Sequence, residues 1–159
     1  KLLAGALPSN LRASSLFSAP PAVSRAASSS AGMSKLPSAE QVAALAADDL
    51  SRPLFMLNIL KYENPEEYAK YAAAVSKIIS SLGGSIVWSG KIDQVVIGDE
   101  EKLGGKHHTV ALVRYPSRAV FLQMQQMPEF RRVAVHRLKG LGSQWLIACT
   151  ETVGPTSRL

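Results

Sequence analysis

The stretch His107–Arg137, HHTVALVRYPSRAVFLQMQQMPEFRRVAVHR, decides the fold, because strand, turn, helix and second helix follow one another in it directly. His107–Tyr115 reads as a strand, and Pro116 cannot continue a central ladder. Ser117 caps a helix over Arg118–Gln126 whose inward residues are Val120, Phe121 and Met124. Pro128 opens a further helix, Glu129–Leu138, ended by Gly140 and Gly142, and Gln144–Thr150 forms the last strand.

Upstream, Leu54–Tyr62 (LFMLNILKY) is an apolar run behind Pro53, with apolar residues on both parities, as in a strand covered on both faces. Asn64-Pro65-Glu66-Glu67 is a helix start: a capping side chain, a proline in the first turn, and acids beside the positive end of the dipole. Tyr68, Tyr71, Ala72, Val75, Ile78, Ile79 and Leu82 then recur at three- and four-residue steps, so one stripe faces the core until Gly83-Gly84 stops the helix. Ser85–Ser89 and Ile92–Ile97 read as a hairpin-like or bulged pair around Gly90-Lys91, and Asp99–Lys106 as a polar, solvated loop. Glu40–Leu50 reads as a short helix that Ser51-Arg52-Pro53 ends.

The element order is β-α-β-β-α-β, which predicts an α+β, ferredoxin-like antiparallel sheet with helices on one face. The apolar residues on both parities of Leu54–Leu60 and Trp145–Ala148 predict that the other face is covered too, most simply by the same sheet of a second subunit. A homodimer is therefore expected.

Five pieces of the chain, PLFMLNILKY, PEEYAKYAAAV, GGSIVWSGK, VALVRYPSRAVFLQM and PEFRRVAVHRLKGL, resemble in order and spacing the bacterial domain-of-unknown-function family 1330 of the dimeric α+β-barrel superfamily. The resemblance covers roughly residues 53–151 and implies the same fold and dimer. It supplies no catalytic residues. Other members of that superfamily include cofactor-independent monooxygenases, muconolactone-isomerase-like enzymes and haem-binding barrels, so the fold leaves function open.

Among candidate site residues Arg137 comes first. Helical spacing from Phe130, Val133 and Ala134 places it on an apolar stripe with Leu138 and Leu141, where a guanidinium needs a carboxylate, carbonyls or an anionic ligand. His136 beside it is either a solvated surface residue or a general acid or base. Asn58 interrupts an apolar strand, so its amide needs partners from loops, a dimer mate or a ligand. Arg114 ends its strand with Glu151 as a candidate partner, and Arg118 reads as an exposed residue of a first helical turn. Trp88 and Tyr115 read as core or dimer-interface aromatics. His107 and His108, adjacent on one strand, point to opposite faces and cannot share a metal. No metal cluster, phosphate loop or nucleophile motif occurs, so no metal, cofactor or catalytic constellation is expected. The single Cys149 excludes an internal disulfide and reads as a buried small hydrophobe.

With 159 residues the chain suits one domain, and no window approaches the roughly 18 uninterrupted apolar residues of a membrane span. The net charge of +6 is uneven, since residues 1–39 hold four of the 18 basic side chains and none of the 12 acidic ones. The rest is close to neutral, without a basic patch interleaved with aromatics, so nucleic acid is not an expected partner. Residues 1–38 are rich in Ser, Ala and Pro, carry Arg12 and Arg25, and lack acid, the composition of an organellar targeting segment or of a low-complexity tail. The chain begins with Lys1, so something upstream is expected to be missing, through processing or an incomplete sequence, and Met33 is an alternative start. Such an arm cannot order itself, and an ordered one would have to wrap a partner.

These readings divide the chain into an arm (1–38), a short helix and linker (39–52), the domain (53–151) and a tail (152–159). The favoured function is a non-catalytic accessory subunit of a larger assembly in the mitochondrion, or alternatively the plastid. The rival is a small-molecule-binding protein or cofactor-independent enzyme with a pocket near Arg137, Asn58 and His136.

Overall fold

A computed structural model describes residues 35–101 and 105–152. The targeting-like composition, Arg12, Arg25, Met33 and the tail beyond residue 152 lie outside the described residues. Helix α1 (Ala39–Ala47) starts at a reciprocal cap: Ser38 Oγ accepts from the Gln41 N–H and Gln41 Oε1 accepts from the Ser38 N–H. It stops earlier than the expected Leu50. Asp48 leaves the helix in an extended conformation, and Asp48 and Asp49 accept the Asp49 and Ser51 amides that a longer helix would have used.

Strand β1 (Leu54–Tyr62) leads to α2 (Pro65–Ser81), which begins where the Asn64 side chain accepts from the Glu67 N–H. Helix α2 ends as its glycines require: Gly83 takes φ +76°, and the Gly84 N–H turns back to the Ile79 carbonyl. Strands β2 (Ser85–Lys91) and β3 (Thr109–Tyr115) come next, then α3 (Arg118–Gln126), α4 (Pro128–Gly140) and β4 (Leu141–Cys149). Ser117 caps α3 by accepting from the Val120 N–H, and extended Met127 ahead of Pro128 separates α3 from α4. The sheet order is β2-β3-β1-β4, antiparallel throughout, which is the expected split βαβ arrangement.

Several boundaries differ from the sequence reading, each for a local reason. Gly90 and Lys91 continue β2, and Ile92–Ile97 forms no strand: after the Ile92 N–H reaches the His108 carbonyl, the chain leaves the sheet to cross to β3. Among the described residues no strand pairs with them, and Val96 and Ile97 stand exposed. Strand β3 begins at Thr109 rather than His107. The expected break at Gly140 and Gly142 is instead a direct passage from helix into strand at Leu141, which is fully buried.

The inward side of α3 differs as well. Leu122 and Gln125 are buried with Phe121 and Met124, while Val120 is only half-buried. Arg118 is buried rather than exposed, because α1 and its linker fold back over α3. The Arg118 and Ala119 amides donate to the Arg52 and Leu50 carbonyls, and the Arg118 guanidinium meets Asp48 at 2.7 Å.

Direct strand partners share a face, so the registers divide the sheet cleanly. Met56, Asn58, Leu60, Ala111, Val113, Gln144 and Leu146 turn toward the helices. Leu57, Ile59, Leu112, Trp145 and Ile147 turn away from them. A bulge between Ile86 and Trp88 absorbs one residue, so Ile86 pairs on the helix side and Trp88 on the far side. In the single chain this far face is open, with Trp88 56% and Ile147 39% exposed. Cys149, paired with Phe55 on the same face, is half-exposed instead of buried.

Candidate functional site

Between the helix-side face of the sheet and helices α2 and α4 lies a cavity of about 840 Å³. That size is within the range of small-molecule sites. Phe121, Met124 and Phe130 line it without filling it. Most of its wall is apolar, contributed by Met56, Leu60, Val75, Ile79, Val113 and Leu146.

One polar strip crosses this wall. The Arg137 guanidinium donates to Gln144 Oε1 and, at 3.2 Å, to the Lys35 carbonyl. Gln144 Nε2 donates in turn to Asn58 Oδ1 at 3.0 Å, and the Asn58 amide donates to the Met56 and Ala111 carbonyls at 3.0 and 3.4 Å. The chain can form because α4 runs straight into β4, so that Arg137 and Gln144 face each other across the reversal at Leu141. Every member of the strip is held, yet among the described residues every acceptor that Arg137 finds is uncharged.

Four tyrosines line the cavity, and three of them, Tyr68, Tyr71 and Tyr115, are shifted by it. Burial raises the phenol pKa of Tyr68, Tyr71 and Tyr115, with smaller raising contributions from neighbouring phenols at Tyr68 and Tyr115, and the nearby Arg137 charge partly offsets the rise at Tyr68 and Tyr71. These hydroxyls therefore stay protonated at neutral pH and act as donors. Among the described residues none of the three has a hydrogen-bond partner. Arg131, Arg137 and Lys139 line the cavity, and among the described residues no carboxylate does. The site is positive and rich in donors, and an anion with several acceptor oxygens complements it.

Of the sequence candidates, the structure brings Arg137 and Asn58 together through Gln144, and leaves His136 and Arg114 elsewhere. His136 Nδ1 lies 2.8 Å from Glu67 Oε2, clipping α4 to α2 at the surface. Arg114 turns to the far face of the sheet, opposite Phe55, and among the described residues it makes no ion pair with Glu151 or any other acid. His108 Nδ1 accepts from the Tyr62 N–H at 2.9 Å, and among the described residues no group of three or more His, Cys, Asp or Glu side chains is placed to hold a metal. Sequence reasoning misses Gln144, Tyr71 and Tyr115 as site residues. Gln144 carries one usable signal, being the polar residue that shares strand parity with Leu146 and Ala148.

The Glu67 cluster yields a pH expectation. Its carboxyl is held down to about 2 from the usual 4.5, first by the hydrogen bond from Lys70 and then by that from His136. A folded value below the unfolded one means stability that is complete above about 4.5 and is lost as pH falls from there through about 2. Glu67→Gln is expected to flatten that acid limb, which urea unfolding measured at steps across this interval will show.

The family described as Domain of unknown function (DUF1330) matches residues 53–149. Among solved structures, that of a protein of unknown function from Rhodopseudomonas palustris is 26% identical, with a TM-score of 0.68, and the match covers 74% of this chain and 96% of that one. The methylated form of the same protein gives a TM-score of 0.70 over 79% and 99% of the two chains. A hydroxynitrile lyase from Passiflora edulis, 10% identical, matches over 66% of this chain and 99% of its own with a TM-score of 0.50, a likeness of fold alone. No curated protein matches.

Proposed function

The chain belongs to the domain-of-unknown-function family 1330, with the ferredoxin-like fold of the dimeric α+β barrels, and on that premise we propose that it binds a small molecule with an apolar body and an anionic end. The observation that carries this is the cavity between sheet and helices, large enough for a ligand, with Arg137 in its wall and no carboxylate among the described lining residues to neutralise it. In this reading Arg137 clamps the anion, Gln144 and Asn58 hold the guanidinium in place, and Tyr71 and Tyr115 donate to further ligand oxygens. The same donors suit a reaction that develops negative charge on a bound substrate, so the reading covers both a binding protein and a cofactor-independent enzyme.

Octanoate and 1-octanol separate this from a generic greasy pocket. Titration calorimetry is expected to show octanoate binding at least about tenfold more tightly, the effect of a charge-assisted hydrogen bond of about 1.5–3 kcal/mol. Equal affinities, or no octanoate binding, would sink the idea. The accessory-subunit role in an organelle rests on residues 1–38, nearly all outside the described residues, and on the lack of a catalytic motif in the sequence, and the open cavity favours the ligand-binding reading over it.

The partner on the far face of the sheet is a second copy of the chain. Trp88 on β2, Leu112 on β3, and Trp145 and Ile147 on β4 stand there, and sheet-on-sheet packing would cover them all. Light scattering is expected to give twice the 17.0 kDa chain mass, and Ile147→Asp to return the monomer. A monomeric parent protein at micromolar concentration would refute it.

A further inference from the structure

The strand registers spread the cavity's polar groups along the sheet. Gln144, which accepts from Arg137, lies opposite Leu60. Tyr115 lies opposite Leu54, six residues back along β1 and so about 20 Å away at about 3.4 Å per residue. Between those rows Met56 stands between Val113 and Ala148, an apolar stretch of floor. Asn58 lies there too, but its amide is already engaged by Gln144 and two carbonyls.

Helix α2 carries Tyr68 and Tyr71 over this floor, with ring centroids 5.6 Å apart, and Tyr115 stands edge-on to Phe121 at 5.1 Å. The charge of Arg137 bears on the phenols of Tyr68 and Tyr71 but not on that of Tyr115, which senses the other two. The donors are thus ordered: Arg137 at one end, the α2 pair next, Tyr115 farthest. A smaller cavity of about 340 Å³ also borders Arg137, and among the described residues no tyrosine lines it.

Tyr115 is 4% exposed, yet among the described residues its hydroxyl finds no acceptor. The fully enclosed side-chain atoms left without a partner are His107 Nε2, Arg118 Nε and Ser143 Oγ, so the phenol oxygens of the cavity open onto its space. A buried donor left unmade costs free energy, and an acceptor inside the cavity removes that cost. A carbonyl suits the place better than a hydroxyl, because it brings two lone pairs and no donor of its own to a wall of donors. Arg137 keeps N–H groups beyond those given to Gln144 and the Lys35 carbonyl, so a carboxylate can join it without displacing either.

We propose that the ligand is a two-ended oxo acid: its carboxylate binds at Arg137 and, beyond an apolar stretch, its ketone oxygen accepts from the hydroxyls of Tyr71 and Tyr115. The proposal rests on the ligand-binding reading above and narrows it from any apolar anion to one with a second, remote acceptor.

Titration calorimetry with decanoate, 4-oxodecanoate and 9-oxodecanoate tests it. The 9-oxo acid is expected to bind about two- to twelvefold more tightly than decanoate, the effect of one neutral hydrogen bond. The 4-oxo acid is expected to bind no more tightly than decanoate, since its ketone is left over the apolar floor. Tyr71→Phe with Tyr115→Phe keeps both rings, and is expected to erase the preference for the 9-oxo acid while leaving decanoate affinity unchanged. Infrared spectra of the parent protein with an isotope-labelled ketone give a second measurement, which needs no variant. The carbonyl stretch of bound 9-oxodecanoate is expected to move below its value in water-free solvent. If decanoate binds and the 9-oxo acid binds no better, the proposal fails while the ligand-binding reading stands. It fails equally if the folded double variant keeps the preference or the carbonyl stretch does not move. If none of the three acids binds, both readings fall.

Discussion

Gly140→Ala is expected to lower the unfolding free energy by about 1–3 kcal/mol, the usual penalty for forcing atoms into a filled space. A Cβ at residue 140 would sit 2.5 Å from the Tyr68 backbone nitrogen and 2.7 Å from its Cα, and backbone cannot swing aside as a flexible side chain can. Alanine's better helix propensity offsets at most about 1 kcal/mol of this. The same residue's carbonyl accepts from the Glu63 and Asn64 amides, so the end of α4 is the seat on which the first turn of α2 rests. Displacing Tyr68 also moves one wall of the cavity, and octanoate affinity should fall along with the urea midpoint. A midpoint equal to that of the parent protein would show that the two helices slide apart without cost.

Arg137→Met is expected to weaken octanoate by about 30- to 4000-fold, from the roughly 2–5 kcal/mol lost when one partner of a buried charged pair is truncated. The cost to stability should be far smaller. Arg137 is half-buried, its acceptors are neutral, and Met fills a similar volume on the same helix face. The change does leave Gln144 Oε1 without its donor, at a residue 9% exposed, so a loss of order 1 kcal/mol in unfolding free energy is expected. A large fall in stability with octanoate affinity intact would make Arg137 a structural residue and remove the anion clamp.

Local chemistry made most of the fold legible. Asn64 and Ser117 accept from the amides three residues on, and Gly83 supplies the positive φ that ends α2, and each of these is written in residue types that favour one backbone arrangement. Ile92–Ile97 misled because β propensity describes a segment, whereas a strand needs a neighbour to pair with. Gly140-Leu141-Gly142 misled because two glycines resemble a break, while here the first is needed for close approach to Tyr68. Arg118 was misplaced because its burial depends on α1 returning over α3, a contact between distant parts of the chain.

The site divides in the same way. Helical phasing found Arg137, and an amide in an apolar strand found Asn58. Gln144, which joins them, becomes visible only once α4 and β4 are folded against each other. The tyrosines on α2 and β3 read as core, which they are, with hydroxyls reaching an enclosed space that no periodicity reveals.

The bulge that turns Trp88 to the far side of the sheet has a spectroscopic consequence. The chain's two tryptophans, Trp88 and Trp145, stand on that face, with the sheet between them and the larger cavity. Indole emission should therefore shift to the blue as rising concentration brings two copies together, and the Trp88 part of it, isolated in a Trp145→Phe protein because Trp145 also lines the smaller cavity beside Arg137, should stay nearly still when octanoate enters. Tyrosine absorbance should do the opposite, since Tyr68, Tyr71 and Tyr115 line the cavity. One unlabelled sample thus carries two separate optical reporters, one for each face of the sheet.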